Sequence, residues 1–288
     1  MFTITSLHKE GEREGERRTT LEPRIFTFAG GESQVVLPES FIADAASVAG
    51  VRINAWLKTA DTVMQLLLLT DAVRRVTPNV PLHLNMPYVP YARQDRVCNP
   101  GEALSAKVFC DLINAQVYAS VTIADPHSDV VPALLDRVSV VDASIMLAEI
   151  LQQPAFARGV TLLAPDAGAR KRVQLLAKKL GVEHIAFADK VRDTKTGRIS
   201  GTSVSSDLPH LPILVVDDIC DGGRTFVELG KALAEVSQQP RYLYVTHGIF
   251  SKGFEELNLY YQRIFTAYNW NTSTPNDKLT TITQGALV

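Results

Sequence analysis

Residues Leu214 to Thr225 read LVVDDICDGGRT, which sets an apolar run, two adjacent acids and a short glycine-containing loop in direct succession. Residues 213–216 are aliphatic and β-branched and are bounded by Pro212 and by acids. That pattern predicts a central parallel strand buried on both faces, ending at the Asp217-Asp218 pair. After Gly222 and Gly223, the apolar residues Phe226, Val227, Leu229, Leu233 and Val236 recur at three- and four-residue spacings, which predicts an amphipathic helix. In an open α/β sheet, ligands bind outside the carboxyl ends of the strands, and backbone N–H groups at a helix N-terminus can receive a phosphate. Two carboxylates beside a phosphate would repel it unless they faced sugar hydroxyls or a divalent metal. The local expectation is a sugar-phosphate site, with Asp221, Gly222, Gly223, Arg224 and Thr225 on the phosphate and Asp217 and Asp218 on ribose hydroxyls. An ordinary strand end followed by a capped helix fits the same residues, and both readings stay open at this level.

The stretch resembles the ribose-5-phosphate binding loop shared by phosphoribosyltransferases and phosphoribosyl pyrophosphate (PRPP) synthetases. In that loop two acids and two variable residues precede Asp-Thr-Gly-Gly-Thr or a close variant. Here Arg224 stands where a small residue is usual, either adding a cation to the phosphate cradle or crowding it.

Upstream, the segment 82–86 predicts a short strand that runs into PYVPYARQDR, where Pro87 and Pro90 stiffen a loop presenting Arg93, Gln94, Asp95 and Arg96. A guanidinium can grip phosphate oxygens bidentately, so this loop is a candidate polyphosphate clamp, or else a solvated charged loop. PYARQDR, followed by GEALSAK at Gly101 to Lys107, resembles the ATP-binding stretch of PRPP synthetases, which ordinary phosphoribosyltransferases lack. Nearer the N-terminus, two short strands flank Phe28-Ala29-Gly30-Gly31-Glu32. This turn resembles the same family's Phe-x-Asp-Gly-Glu turn, whose Phe28 and Glu32 equivalents reach the adenine on a neighbouring subunit; Gly30 replaces the acid. Residues 8–22 are dominated by Glu, Arg, Lys and Gly and read as an exposed hairpin or mobile segment. Asp61 is the expected cap of a long helix whose stripe includes Val63, Leu66 and Val73.

Further along, a strand is expected to end in Asp125-Pro126-His127, and another in Pro165-Asp166-Ala167-Gly168 ahead of a helix carrying Arg170, Lys171 and Arg172. A lone histidine among acids binds metal or phosphate in some proteins and is a structural hydrogen bonder in others. The family resemblance gives His127 a place at the Mg-ATP phosphates and Asp166 the second magnesium-associated position. Residues 189–198 are cationic, turn-rich and poor in apolar anchors, which predicts a mobile flap. By resemblance Lys190 and Arg192 are the flap residues that close on the transferring group. The tail beyond Thr272 is polar and uninformative.

Length and composition set the frame. The 288 residues, 46% of them hydrophobic, are enough for two ordinary domains with their own cores. A formal net charge of −2 gives no global attraction for nucleic acid or an anionic membrane. No apolar run approaches the roughly 20 residues of a membrane span, and the N-terminus lacks the order of a signal peptide. The three cysteines, Cys98, Cys110 and Cys220, show no metal spacing and suggest free thiols in a reducing, cytoplasmic setting.

The resemblance covers residues 28–268. It implies an α/β fold of two similar phosphoribosyltransferase-like domains, each a mainly parallel sheet flanked by helices, with residues 1–143 binding ATP and residues 144–288 binding ribose 5-phosphate. The implied activity is diphosphoryl transfer from ATP to the C1 hydroxyl of ribose 5-phosphate, with Mg2+, in a homo-oligomer of at least two chains. Two alternatives remain: a phosphoribosyltransferase that consumes PRPP, and a non-catalytic regulator of the PRPP-synthetase-associated kind.

Overall fold

The computed structural model describes residues 1–9, 16–192 and 199–282. Internal contacts divide the chain into Met1–Val141 and Asp142–Val288. The first unit runs β1 (Phe2–Lys9), β2 (Glu16–Leu21), β3 (Arg24–Thr27), β4 (Ser33–Val36), α1 (Glu39–Asp44), β5 (Val48–Ala55), α2 (Ala60–Val76), β6 (Leu82–Asn85), α3 (Ser105–Asn114), β7 (Ser120–Ala124), α4 (Val130–Leu134) and β8 (Val138–Val141). Among the described residues six strands form one sheet in the order β2-β1-β5-β6-β7-β8. β5 to β8 are parallel, and β1 and β2 extend the sheet antiparallel. The β3–β4 hairpin stands apart as a two-stranded sheet.

One expectation in this unit holds in part and one fails. The segment 8–22 does enter an antiparallel β1–β2 hairpin with Arg18, Thr20 and Glu22 exposed, but its first residue belongs to a strand inside the sheet: His8, 7% exposed, is held between the hydroxyls of Ser6 and Ser47 at 3.0 Å each. Polar residues of β1 and β5 are likewise buried by side-chain hydrogen bonding. Asn54 Nδ2, for instance, donates to Thr3 Oγ1 at 3.0 Å and Thr5 Oγ1 at 3.3 Å. The cap of α2 is Thr59 rather than Asp61. Its hydroxyl accepts from Thr62 N, and Thr62 Oγ1 accepts in return from Thr59 N, a reciprocal pairing that satisfies two backbone donors.

The second unit runs α5 (Ala143–Leu151), β9 (Thr161–Ala164), α6 (Arg170–Leu180), β10 (His184–Arg192), β11 (Ile199–Val204), β12 (Ile213–Cys220), α7 (Arg224–Val236), β13 (Arg241–Gly248), α8 (Glu255–Tyr260), β14 (Arg263–Asn269) and β15 (Leu279–Thr281). Its sheet has the order β11-β10-β9-β12-β13-β14-β15, parallel except for β11. β12 sits at the centre, and Ile213, Leu214, Val215 and Val216 are fully buried there. A continuous apolar run is the signature of a strand covered on both faces, so the opening stretch found its place for the expected reason.

β12 nevertheless continues past the acid pair to Cys220, because β13 stays paired with it as far as Cys220 opposite Gly248. Asp217 and Asp218 therefore lie within the strand rather than at its end. The expected flap is in part a β-hairpin: β10 carries the backbone of Lys190 and Arg192 in register with Thr202 and Ile199 of β11. The rest of it, residues 193–198, lies outside the described residues. The polar tail is not featureless either, since β15 adds a parallel strand to β14.

Candidate functional site

The loop from β12 leads into an uncapped start of α7. Gly223 is the cap residue in a left-handed conformation (φ 76°), no side chain caps the helix, and its first turn holds no acid. Side chains cap α2, through Thr59, and α5, through Asp142, which accepts from Ser144 N, whereas α1, α3, α4, α6 and α8 start, like α7, without a side-chain cap. An α-helix N-terminus exposes orphan N–H groups and a partial positive charge, and leaving them uncapped produces an anion seat. Only glycine takes φ near 76° without strain, which accounts for the second glycine of the pair. Arg224 does not crowd the loop: its Nε donates to Glu228 Oε1 at 2.7 Å on the exposed side of α7. Asp221 is drawn toward the turn after β13, where its Oδ1 accepts from Ser251 Oγ at 2.7 Å.

Ahead of the loop, Asp218 is buried and Asp217 half-buried. Successive strand residues point to opposite faces, yet the pair stays in contact, with Asp218 N donating to Asp217 Oδ1 at 2.9 Å. Burial pushes the Asp217 carboxyl well above the usual carboxylate range, and the neighbouring charge of Asp218 pushes it further. Arg172 of α6 offsets part of this, with Nη2 3.9 Å from Asp218 Oδ2 and both side chains largely shielded from water. Of the basic trio on α6, then, Arg172 faces the acids. Arg170 pairs with Asp189 and lies over the Phe187 ring, 5.4 Å from its centroid. Sequence inspection left these residues as a possible solvated face. The usable signal was the acid pair itself, because buried carboxylates call for a nearby cation.

Asp166 closes the turn after β9, where its Oδ1 accepts from Gly168 N at 2.9 Å and Ala169 N at 3.3 Å. Asp166, Asp217, Asp218 and the loop 221–225 thus all follow from adjacent parallel strands of one unit, β9 and β12. Lys190 and Arg192 belong to β10, on the other side of β9, and their side chains lie outside the described residues.

In the first unit the loop after β6 carries Arg93, Gln94 and Arg96 exposed and Asp95 half-buried. It is anchored to α3: Ala106 N donates to Gln94 O at 3.2 Å, and the Tyr91 ring stands 5.9 Å from that of Phe109. Glu102 ties the following turn by accepting from Cys98 N and Asn99 N at 2.8 and 3.0 Å. His127 is exposed just past β7, following Asp125, a non-glycine residue held at φ 38°. The β3–β4 turn presents Phe28, 53% exposed, together with exposed Gly30 and Glu32. The turn is closed by Phe28 N donating to Glu32 O at 2.8 Å. The Phe28 ring meets Phe26 edge-on at 5.2 Å.

A parallel sheet with an uncapped helix N-terminus behind paired acids fits a phosphoribosyltransferase-type α/β protein. The comparisons agree: residues 134–245 match the phosphoribosyl transferase domain, and residues 18–116 match the N-terminal domain of ribose phosphate pyrophosphokinase. The ribose-phosphate pyrophosphokinase of Campylobacter jejuni is 30% identical over 80% of this chain and 73% of its own length. That of Pyrococcus furiosus is 30% identical over 85% of this chain and 84% of its own. The phosphoribosylpyrophosphate synthetase of Mycobacterium smegmatis has the same fold at a TM-score of 0.75, with 22% identity over 90% of this chain and 85% of that one. The chain belongs to the ribose-phosphate pyrophosphokinase family.

Proposed function

We propose that this protein transfers the diphosphoryl group of ATP to the C1 hydroxyl of ribose 5-phosphate, giving PRPP and AMP. The observation that carries the proposal is the start of α7, an anion seat with no side-chain cap and no acid in its first turn, directly behind a carboxylate pair. A sugar phosphate satisfies both at once, since its phosphate accepts from the loop while vicinal hydroxyls donate to acids.

In this reading the second unit holds ribose 5-phosphate, with Asp221, Gly222, Gly223, Arg224 and Thr225 around the phosphate and Asp217 and Asp218 orienting the ribose. The first unit holds ATP through Arg93, Gln94, Asp95 and Arg96. Phe28, Gly30 and Glu32 reach the adenine of a neighbouring chain, so the working form contains at least two copies; the exposure of Phe28 at a hairpin tip suits that use. A bond forms between the C1 oxygen and the β-phosphorus while the bond from that phosphorus to the oxygen leaving with AMP breaks, and the hydroxyl proton is released. The protein's part is positioning and neutralisation of charge, with Lys190 and Arg192 closing on the transferring group.

Among the described residues no group of three or more His, Cys, Asp or Glu side chains could cage a metal. A single carboxylate such as that of Asp166 is the kind of ligand Mg2+ takes, since that ion keeps its waters and is bound by one or two carboxylates plus substrate phosphates. His127 would meet Mg-ATP at its phosphates, and Asp166, its carboxylate fixed by two backbone donors, would supply a ligand at a separate position. Bound there, Mg2+ offsets phosphate charge. Three free thiols fit a cytoplasmic setting, and no described helix is long and apolar enough to cross a membrane.

Incubation with ATP, Mg2+ and ribose 5-phosphate, with chromatography for AMP, tests the proposal. AMP formed in step with sugar consumption supports it. Tight PRPP binding without AMP would instead favour a regulatory protein, and consumption of PRPP with a free base would favour a phosphoribosyltransferase.

A further inference from the structure

Next to the uncapped start of α7 stands a cation, Lys252, in the turn joining β13 to α8. The turn is stitched to the beginning of the phosphate loop. Ile249 N and Phe250 N both donate to Cys220 O, at 2.9 and 3.0 Å, and Ser251 N donates to Asp221 O at 3.0 Å. The Ser251 hydroxyl adds its bond to the Asp221 carboxylate. These ties fix the backbone of Lys252 relative to Gly222, and the lysine stem lies across that glycine. A Cβ at Gly222 would meet Lys252 Cδ and Cε at 3.7 Å each, and the ammonium is one bond further on.

Lys252 is exposed and forms no ion pair or hydrogen bond among the described residues, whereas Arg224, the cation within the loop, is engaged by Glu228. The protein thus sets an ammonium and an uncapped helix terminus side by side with no described acid on the ammonium. A dianion satisfies both. Lys252 also lines, with Glu255, Asn271 and Thr274, a polar cavity of about 590 Å³.

We propose that Lys252 binds the 5-phosphate of the pentose substrate, supplying the cation that Arg224 does not. The inference rests on the reading of loop 221–225 given above. Steady-state kinetics of the full chain, with Lys252→Met and Lys252→Arg beside it, test the idea. Loss of one charge-assisted contact should raise KM for ribose 5-phosphate about tenfold in Lys252→Met. KM for ATP should move less than about twofold, and Lys252→Arg should recover most of the loss. The preference for ribose 5-phosphate over ribose should shrink by the same about tenfold factor, and added salt should narrow the gap between the chains.

A KM for ribose 5-phosphate in Lys252→Met within about twofold of an active parent overturns the inference. If the parent releases no AMP, the reading of the activity fails, and calorimetric titration with ribose 5-phosphate still judges Lys252. A Kd about tenfold weaker for Lys252→Met upholds its role. Equal Kd values, or no binding by the parent, refute it.

Discussion

Asp217 carries an electrostatic cost in the second unit. Its carboxyl is desolvated and lies against Asp218, so in the ligand-free protein its pKa is raised, and the folded state holds the proton more tightly than the unfolded chain does. The stability it contributes is present below the ordinary carboxylate pKa and is lost as pH rises through the raised value. Asp217→Asn removes that loss. It should raise Tm at neutral pH by about 2–4 °C, the shift expected for roughly 1 kcal/mol in a domain of this size, and flatten the fall of Tm with pH. Ribose 5-phosphate binding should weaken in the same variant, because an amide cannot accept from two hydroxyls as a carboxylate does. Scanning calorimetry across pH, paired with a titration of the sugar phosphate, checks both halves; a variant less stable than the parent would contradict the electrostatic account. At this scale the acids and the glycines were legible as adjacent letters. Arg172 and Lys252 were not, because the first is brought to Asp218 by the packing of α6 and the second to Gly222 by the parallel pairing of β12 with β13.

Elements were legible where burial is simple. β12 announced itself through four consecutive apolar residues, and α7 through its helical stripe. β1 and β5 did not, since Thr5, Ser6 and Asn54 are buried by hydrogen bonding to one another, to half-buried Thr3 or to neighbouring strands, and no hydropathy pattern records that. β15, three residues long, is created by its neighbour β14. The turn after β13 depends on Gly248, where an added Cβ would come within 2.1 Å of Cε2 and 2.6 Å of Cζ of the buried Phe250 ring. Gly248→Ala must displace that ring. It should cost about 1–3 kcal/mol in chemical denaturation and raise KM for ribose 5-phosphate by loosening the turn that carries Lys252; an unchanged denaturation midpoint would contradict this packing. The β10–β11 hairpin carries Lys190, and a closing hairpin acts mainly after substrates are seated. Lys190→Ala should therefore lower kcat by roughly two to three orders of magnitude with ATP affinity nearly unchanged. Equal losses in kcat and in equilibrium ATP binding would show that Lys190 serves ground-state binding instead.

Over the whole chain, each unit repeats one device: parallel strands ending in loops that carry the polar chemistry. Composition could only bound the number of cores, whereas the stretches that carry the family resemblance, PYARQDR in the first unit and DDICDGGRT in the second, implied what each would hold. The central claim is that these motifs serve one reaction, the transfer of an intact diphosphoryl group. The most direct test follows the β-phosphorus of ATP, isotopically labelled, in the presence of Mg2+ and ribose 5-phosphate. The label should move together with the unlabelled γ-phosphate to C1 of the sugar and leave AMP without label. Label retained in ADP, or recovered on the sugar as a monophosphate, would contradict the account.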